Sequence, residues 1–124
     1  MRLDHFTIRT SELEAMKDFF CEIVELDVGD RPPFDFNGYW LYERVDGRPV
    51  VHLIGDDSAD ADDTGALDHM AFQGEPARYD EVNARIEATD YKQDRRIVPR
   101  DGMRQIFITG PQEFLVELNF PAEG

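Results

Sequence analysis

The sequence predicts an α+β fold: two βαβββ repeats forming a cupped mixed sheet with the helices outside. Three observations predict it. Leu3-Asp4-His5 at the head of the chain recurs as Leu67-Asp68-His69, an offset of 64 residues. Gly38 of Gly38-Tyr39-Trp40-Leu41-Tyr42 and Gly102 of Gly102-Met103-Arg104-Gln105-Ile106-Phe107 share that offset. Val51-His52-Leu53 matches Val116-Glu117-Leu118, with His52 and Glu117 separated by 65, one residue of slip in a turn. Ordered landmarks at one spacing mark a duplicated structural unit. Residues 1–124 then read as a single domain, with repeat one over 2–55, an acidic linker over 56–65 and repeat two over 66–120.

Residues 3–9 alternate as a strand, with Leu3, His5, Thr7 and Arg9 on one face and Asp4, Phe6 and Ile8 on the other. Ser11 and Glu14 form the pattern of a capping box. Leu13, Met16, Phe19, Phe20 and Ile23 follow at helical spacing, which predicts a helix over about 11–24. Gly29 to Pro33 breaks the chain. Strands follow at about 26–31, 38–44 and 49–54, the last two joined by Asp46-Gly47, a hairpin signal.

The second repeat opens with a strand over 66–72. Glu75 and Pro76 start a helix whose stripe is Tyr79, Val82 and Ile86, running to about Ala88. Strands follow near 91–98, 103–109 and 113–120, with Gln112-Glu113 in the last turn. In the final strand Leu115, Glu117 and Asn119 share a face opposite Val116, Leu118 and Phe120. Each half buries one sheet face under its helix, and two halves side by side leave a pocket inside the cup.

The 124 residues suit one compact core, and 41% hydrophobic and 11% aromatic residues place the chain among globular proteins. A net charge of −14 disfavours nucleic acid and anionic membrane as partners. No apolar run is long enough to span a bilayer. Met-Arg-Leu-Asp-His is no signal peptide, and the single Cys21 fits a reducing cytoplasm. Cys21 falls in a predicted helix with no activating partner, so it reads as a structural thiol. Much of the acid lies in Asp56-Asp57-Ser58-Ala59-Asp60-Ala61-Asp62-Asp63. That run reads as a solvated linker, since it lacks the spacing and closing Glu of a calcium loop.

Four metal-ligating residue types occupy paired repeat positions: His5 with His69, and His52 with Glu117. They include every His in the chain. Related by a pseudo-twofold axis, all four would converge in the cup. Neutral imidazole and carboxylate suit a divalent ion such as Zn, Ni, Mn, Co or Fe. The competing reading is that each His is a satisfied polar residue of a strand. Asp4 and Asp68 are expected on the opposite face, away from the ligands.

The βαβββ duplication, with Leu3-Asp4-His5, Val51-His52-Leu53, Leu67-Asp68-His69 and Val116-Glu117-Leu118, resembles the vicinal oxygen chelate superfamily over about residues 2–120. That superfamily holds glyoxalase I, bleomycin-resistance protein, ring-cleaving dioxygenase, methylmalonyl-CoA epimerase and fosfomycin-resistance transferase. Phe36-Asn37-Gly38-Tyr39-Trp40-Leu41 followed by Val51-His52-Leu53-Ile54 looks like a glyoxalase-like subgroup. The resemblance implies one divalent metal at His5, His52, His69 and Glu117, a small-molecule substrate and a homodimer. Glyoxalase I typically has carboxylates at both closing positions; here one is His52, leaving Glu117 as the one base among the ligands.

Three functions follow. The first is Lewis-acid chemistry of lyase or isomerase type on a substrate chelated through adjacent oxygens, with Glu117 catalytic. The second is an Fe(II) ring-cleaving dioxygenase using His5, His69 and Glu117. The third is a binding protein of bleomycin-resistance type. Trp40, with Tyr42, Phe34 and Phe36, lines a pocket or belongs to the core. Thr7, Arg9, Gln105, Arg100 and Arg104 are candidates to grip a polar or anionic group, or are solvated surface residues.

Overall fold

The computed structural model describes residues 1–59 and 63–123. The chain forms two compact units, Met1–Asp63 and Thr64–Gly124, one for each repeat. In the first, β1 (Phe6–Thr10), α1 (Leu13–Ile23), β2 (Asp27–Gly29), β3 (Gly38–Tyr42) and β4 (Pro49–Gly55) follow in order. In the second, β5 (Met70–Gln73) leads through a 3₁₀ turn at Pro76–Arg78 into α2 (Tyr79–Glu87). Then come β6 (Lys92–Ile97), β7 (Arg104–Thr109), a 3₁₀ turn at Pro111–Glu113 and β8 (Leu115–Phe120).

Each unit builds a four-stranded mixed sheet. The orders are β1-β4-β3-β2 and β5-β8-β7-β6. The opening strand pairs parallel with the closing strand, and the other ladders are antiparallel. Thr7 lies opposite His52 and Ala71 opposite Glu117. These are the βαβββ repeats that the sequence predicts.

Alternation fixes which side is buried. In β4, Val51 and Leu53 are buried while His52 between them turns to the other face. In α1, Met16, Phe19, Phe20 and Ile23 are buried at helical spacing, and the helix packs on β3 and β4. Each such side chain contributes roughly 1.5–3 kcal/mol by leaving water. In the second unit Val82 and Ile86 of α2 are buried, and the Tyr79 ring meets Phe120 of β8 edge-on at 5.3 Å. Asn83 Oδ1 accepts from Arg95 Nε of β6 at 2.8 Å, and Ile86 O accepts from Gln93 Nε2 at 3.0 Å.

Four sequence expectations change. The capping box does not form: Glu12 is the N-cap of α1 and its N–H donates to Thr10 Oγ1 at 2.9 Å. Glu14 is drawn away, its Oε1 accepting the Tyr39 hydroxyl at 2.5 Å. The opening strands start later than expected, so His5 and His69 stand immediately before β1 and β5 rather than inside them. Gly38 and Gly102 are not equivalent. Trp40 lies opposite His52 and Phe107 opposite Glu117, an offset of 67, while Gly102 sits in a turn with φ +72° ahead of β7. The fourth concerns Asp4 and Asp68, described below.

The β3–β4 hairpin turns at Gly47, with φ +64°, as Asp46-Gly47 predicts. The β7–β8 turn uses Gln112 and Glu113, both at positive φ. Asp60 to Asp62 of the acidic run lie outside the described residues. Among the described residues, no helix is long and apolar enough to cross a membrane. Cys21 is half-buried in α1, and burial pushes its thiol pKa up.

Candidate metal centre

The four candidate ligands meet as two pairs, one in each unit. In the first, the parallel ladder pairs Phe6 with Val51, so His5 just before β1 stands level with the first residues of β4. The His5 and His52 rings stack at 3.8 Å between centroids, 14° from parallel. Trp40, opposite His52 in β3, stacks on its other face at 4.0 Å and 9°. In the second unit the same placement brings His69 Nε2 to 3.0 Å from Glu117 Oε2. Glu117 is only 8% exposed. Its Oε1 accepts from Gln105 Nε2 at 2.5 Å, and Gln105 also donates to Asn119 Oδ1 at 3.0 Å.

Asp4 and Asp68 overturn the expectation of an opposite face. His5 Nδ1 donates to Asp4 Oδ2 at 2.5 Å, and His69 Nδ1 to Asp68 Oδ2 at 2.6 Å. The strand pleat has not begun at these dipeptides, so neighbouring side chains touch. A carboxylate behind an imidazole fixes its tautomer and frees Nε2 for an ion. His52 differs: its Nε2 donates to Pro49 O at 3.0 Å, which leaves Nδ1 as its open nitrogen.

The electrostatics divide the pairs. The Asp68 hydrogen bond, with the Glu117 and Asp68 charges adding, raises the His69 pKa above its ordinary value. Burial, with His5 beside it, lowers that of His52. The hydrogen bond from His5 lowers the Asp4 carboxyl.

The donor set suits a divalent ion. Adjacent ligands of an octahedral ion at about 2.1 Å stand about 3.0 Å apart, which is the His69–Glu117 separation. The His5 and His52 rings stack with their planes near-parallel. Among the described residues, no group of three or more His, Cys, Asp or Glu stands close enough to hold a metal together.

A pocket of about 150 Å³ opens in the first unit beside His52, lined by Thr7, Arg31, Phe34, Phe36, Trp40, His52, Leu53 and Ile54. Thr7 and Trp40 line this pocket. Arg9 does not line it; its Nη1 lies 3.4 Å from Asp56 Oδ2. Gln105 serves Glu117 in the other unit. Arg104 stacks on Tyr79 at 4.0 Å and donates to Pro76 O. Arg100 sits in the turn before β7 at φ +78°. Two residues escaped the sequence reading. Arg31 was hidden in a Pro-rich break. Phe107 was hidden by the glycine landmark, although an aromatic facing each closing ligand is a repeat signal.

Comparisons with known proteins agree with this fold. The profile of the Glyoxalase/Bleomycin resistance protein/Dioxygenase superfamily matches residues 2–118. A glyoxalase/dioxygenase from Nostoc punctiforme superposes with a TM-score of 0.80 at 18% identity, covering 98% of this chain and 92% of that one. The genomically encoded fosfomycin resistance protein FosX from Listeria monocytogenes gives 0.76 at 20% identity, covering 98% and 94%. A FosX mutant complexed with Mn(II) and 1S,2S-dihydroxypropylphosphonic acid gives 0.72 at 18% identity, covering 95% and 88%. No curated protein matches the sequence.

Proposed function

The chain belongs to the Glyoxalase/Bleomycin resistance protein/Dioxygenase superfamily, and from that premise we propose that it is a divalent-metal-dependent enzyme. It acts on a small substrate chelated through adjacent oxygens, with chemistry of lyase or isomerase type. Each repeat supplies a ligand pair: His5 and His52 from the first, His69 and Glu117 from the second. The observation that carries this reading is His69, held from behind by Asp68 and facing Glu117 at 3.0 Å. The FosX structure with Mn(II) and a dihydroxy acid supports it.

A bound ion would supply Lewis acidity toward negative charge developing on a substrate oxygen. The chain's own residues do the rest. Asp4 and Asp68 hold the Nδ1 protons of His5 and His69, keeping each Nε2 forward. Gln105 donates to one oxygen of Glu117, holding the carboxylate in orientation. As the one carboxylate among the four, Glu117 takes a proton from a substrate carbon and returns it to the neighbouring carbon, so the carboxylate is regenerated. Trp40, stacked on His52, keeps water from that side of the substrate. The protein works as a homodimer, which light scattering in solution tests.

One observation favours a second reading. His52 Nε2 is spent on Pro49 O, and its ring is sandwiched between His5 and Trp40. A His52 that stays so leaves His5, His69 and Glu117, the two-His, one-carboxylate set of Fe(II) dioxygenases. Elemental analysis of protein purified without added metal or affinity tag, as wild type and His52→Ala, separates these. About one Ni, Zn, Mn or Co per chain, lost in the variant, supports the four-ligand Lewis-acid site. Iron retained without His52, with oxygen uptake on a catechol, supports the dioxygenase. No metal after reconstitution overturns both and leaves a binding protein.

A further inference from the structure

The segment between β2 and β3 carries an unusual group. Phe34 and Phe36 stack at 5.0 Å, 14° from parallel, yet remain 45% and 39% exposed. The Arg31 guanidinium carbon lies 5.6 Å from one ring centre and 5.2 Å from the other. Arg31 Nη2 donates to Phe36 O at 2.5 Å. Nη1 lies over Gly38, where an added Cβ would come within 3.1 Å of it and 2.3 Å of Leu53 O. Arg31 is thus seated by two rings, one carbonyl and a bare glycine, and no carboxylate is among these partners. In a chain of net charge −14, a cation placed this way invites an anion from outside.

We infer that this pocket takes a flat aromatic ring bearing a carboxylate. A cavity near 150 Å³ is the size that receives a single benzene ring. The lining supplies faces for it: Phe34, Phe36 and Trp40, the last extended by His52. With Nη2 donating to Phe36 O, the Arg31 guanidinium keeps further N–H donors that a carboxylate can accept. One guanidinium among aromatic rings suits a singly charged arene better than an aliphatic phosphonate, which calls for more cationic donors and less ring surface. This inference rests on the proposed function only in making the bound molecule a substrate, since His52 lies in both the pocket and the ligand set.

Trp40 is the one tryptophan of the chain and lines the pocket, so its emission reports occupancy. Metal-free protein is titrated with benzoate, benzyl alcohol, acetate and methylphosphonate. Benzoate is expected to change the emission saturably, with the other three about tenfold weaker or more. Arg31→Met keeps an apolar stem on the rings; it weakens benzoate about tenfold and leaves benzyl alcohol unchanged. Phe34→Ala weakens both ring compounds, and circular dichroism confirms that both variants are folded. Equal binding of benzoate and benzyl alcohol, indifference to Arg31→Met, tightest binding of methylphosphonate, or no saturable change would each overturn the inference. Because no metal is present, benzoate binding with a failed metal analysis overturns the metal reading alone, and the converse overturns this pocket alone.

Discussion

His69 Nε2 and Glu117 Oε2 stand 3.0 Å apart, with Asp68 Oδ2 on the opposite nitrogen of the same ring at 2.6 Å. The imidazole is therefore gripped at both ends by carboxylates. Without an ion, a proton on Nε2 joins it to Glu117. An ion held at the proposed site would need that nitrogen without its proton, so protons and metal would compete for it.

Glu117→Gln is expected to lower metal affinity by at least tenfold while leaving the fold intact, since the amide keeps the shape but loses the charge. Isothermal titration with Mn(II) or Ni(II), alongside circular dichroism, measures both. An unchanged affinity would remove Glu117 from the ligand set.

The histidines of the metal-free protein should titrate apart. His69 is raised, so its protonated form stabilises the fold; that contribution is complete below 6.5 and is lost as pH rises through the raised value. His52 is lowered, so its neutral form is favoured; stability from it is present above 6.5 and is lost as pH falls through the lowered value. Proton NMR of the imidazole Cε1–H signals reads both midpoints. His69 titrating below His52 would contradict the assignment.

Asp68→Ala should bring the His69 midpoint down toward the ordinary value and weaken metal binding by about 10–100-fold, the usual effect of removing a carboxylate behind a ligating His. The same NMR titration and metal calorimetry report it. Asp4→Ala should weaken metal likewise through His5. A midpoint that does not move would show that Asp68 does not orient the ring.

Leu41 and Ile108 are both fully buried and lie opposite Val51 and Val116 in their respective ladders. Leu41→Ala and Ile108→Ala should each cost about 2–5 kcal/mol. Urea unfolding followed by Trp40 emission and by circular dichroism measures them. A cost below about 1 kcal/mol would mean that the site is not close-packed.

The repeats, the helix stripes and the succession of elements along the chain were legible because they rest on periodicity: apolar residues at helical spacing in α1 and α2, alternation in β4 and β8, and one tripeptide twice. The repeat-related positions of His5 and His69 were legible for the same reason, but their meeting with His52 and Glu117 within each unit was not. What escaped depends on where irregular chain folds back. Arg31 lies in a loop, and no period says which way a loop side chain turns. The Gly38–Gly102 pairing misled because the segment before β7 differs in length from that before β3, so Phe107 rather than Arg104 stands where Trp40 does. Asp68 was misplaced because alternation was extended past the true start of β5. Ser11 and Glu14 had the spacing of a capping box, but Tyr39 from a distant strand outcompeted it for the carboxylate.

The parallel pairing of each opening strand with its closing strand carries a consequence for how the protein comes into being. Thr7 meets His52, and Ala71 meets Glu117, across about 45 residues of intervening chain, a separation that slows closure through loop entropy. The intervening helix and hairpin are local and form early. Each histidine therefore finds its partner late, when the last ladder zips. A polypeptide emerging from synthesis brings neither His5 to His52 nor His69 to Glu117 until its repeat is complete.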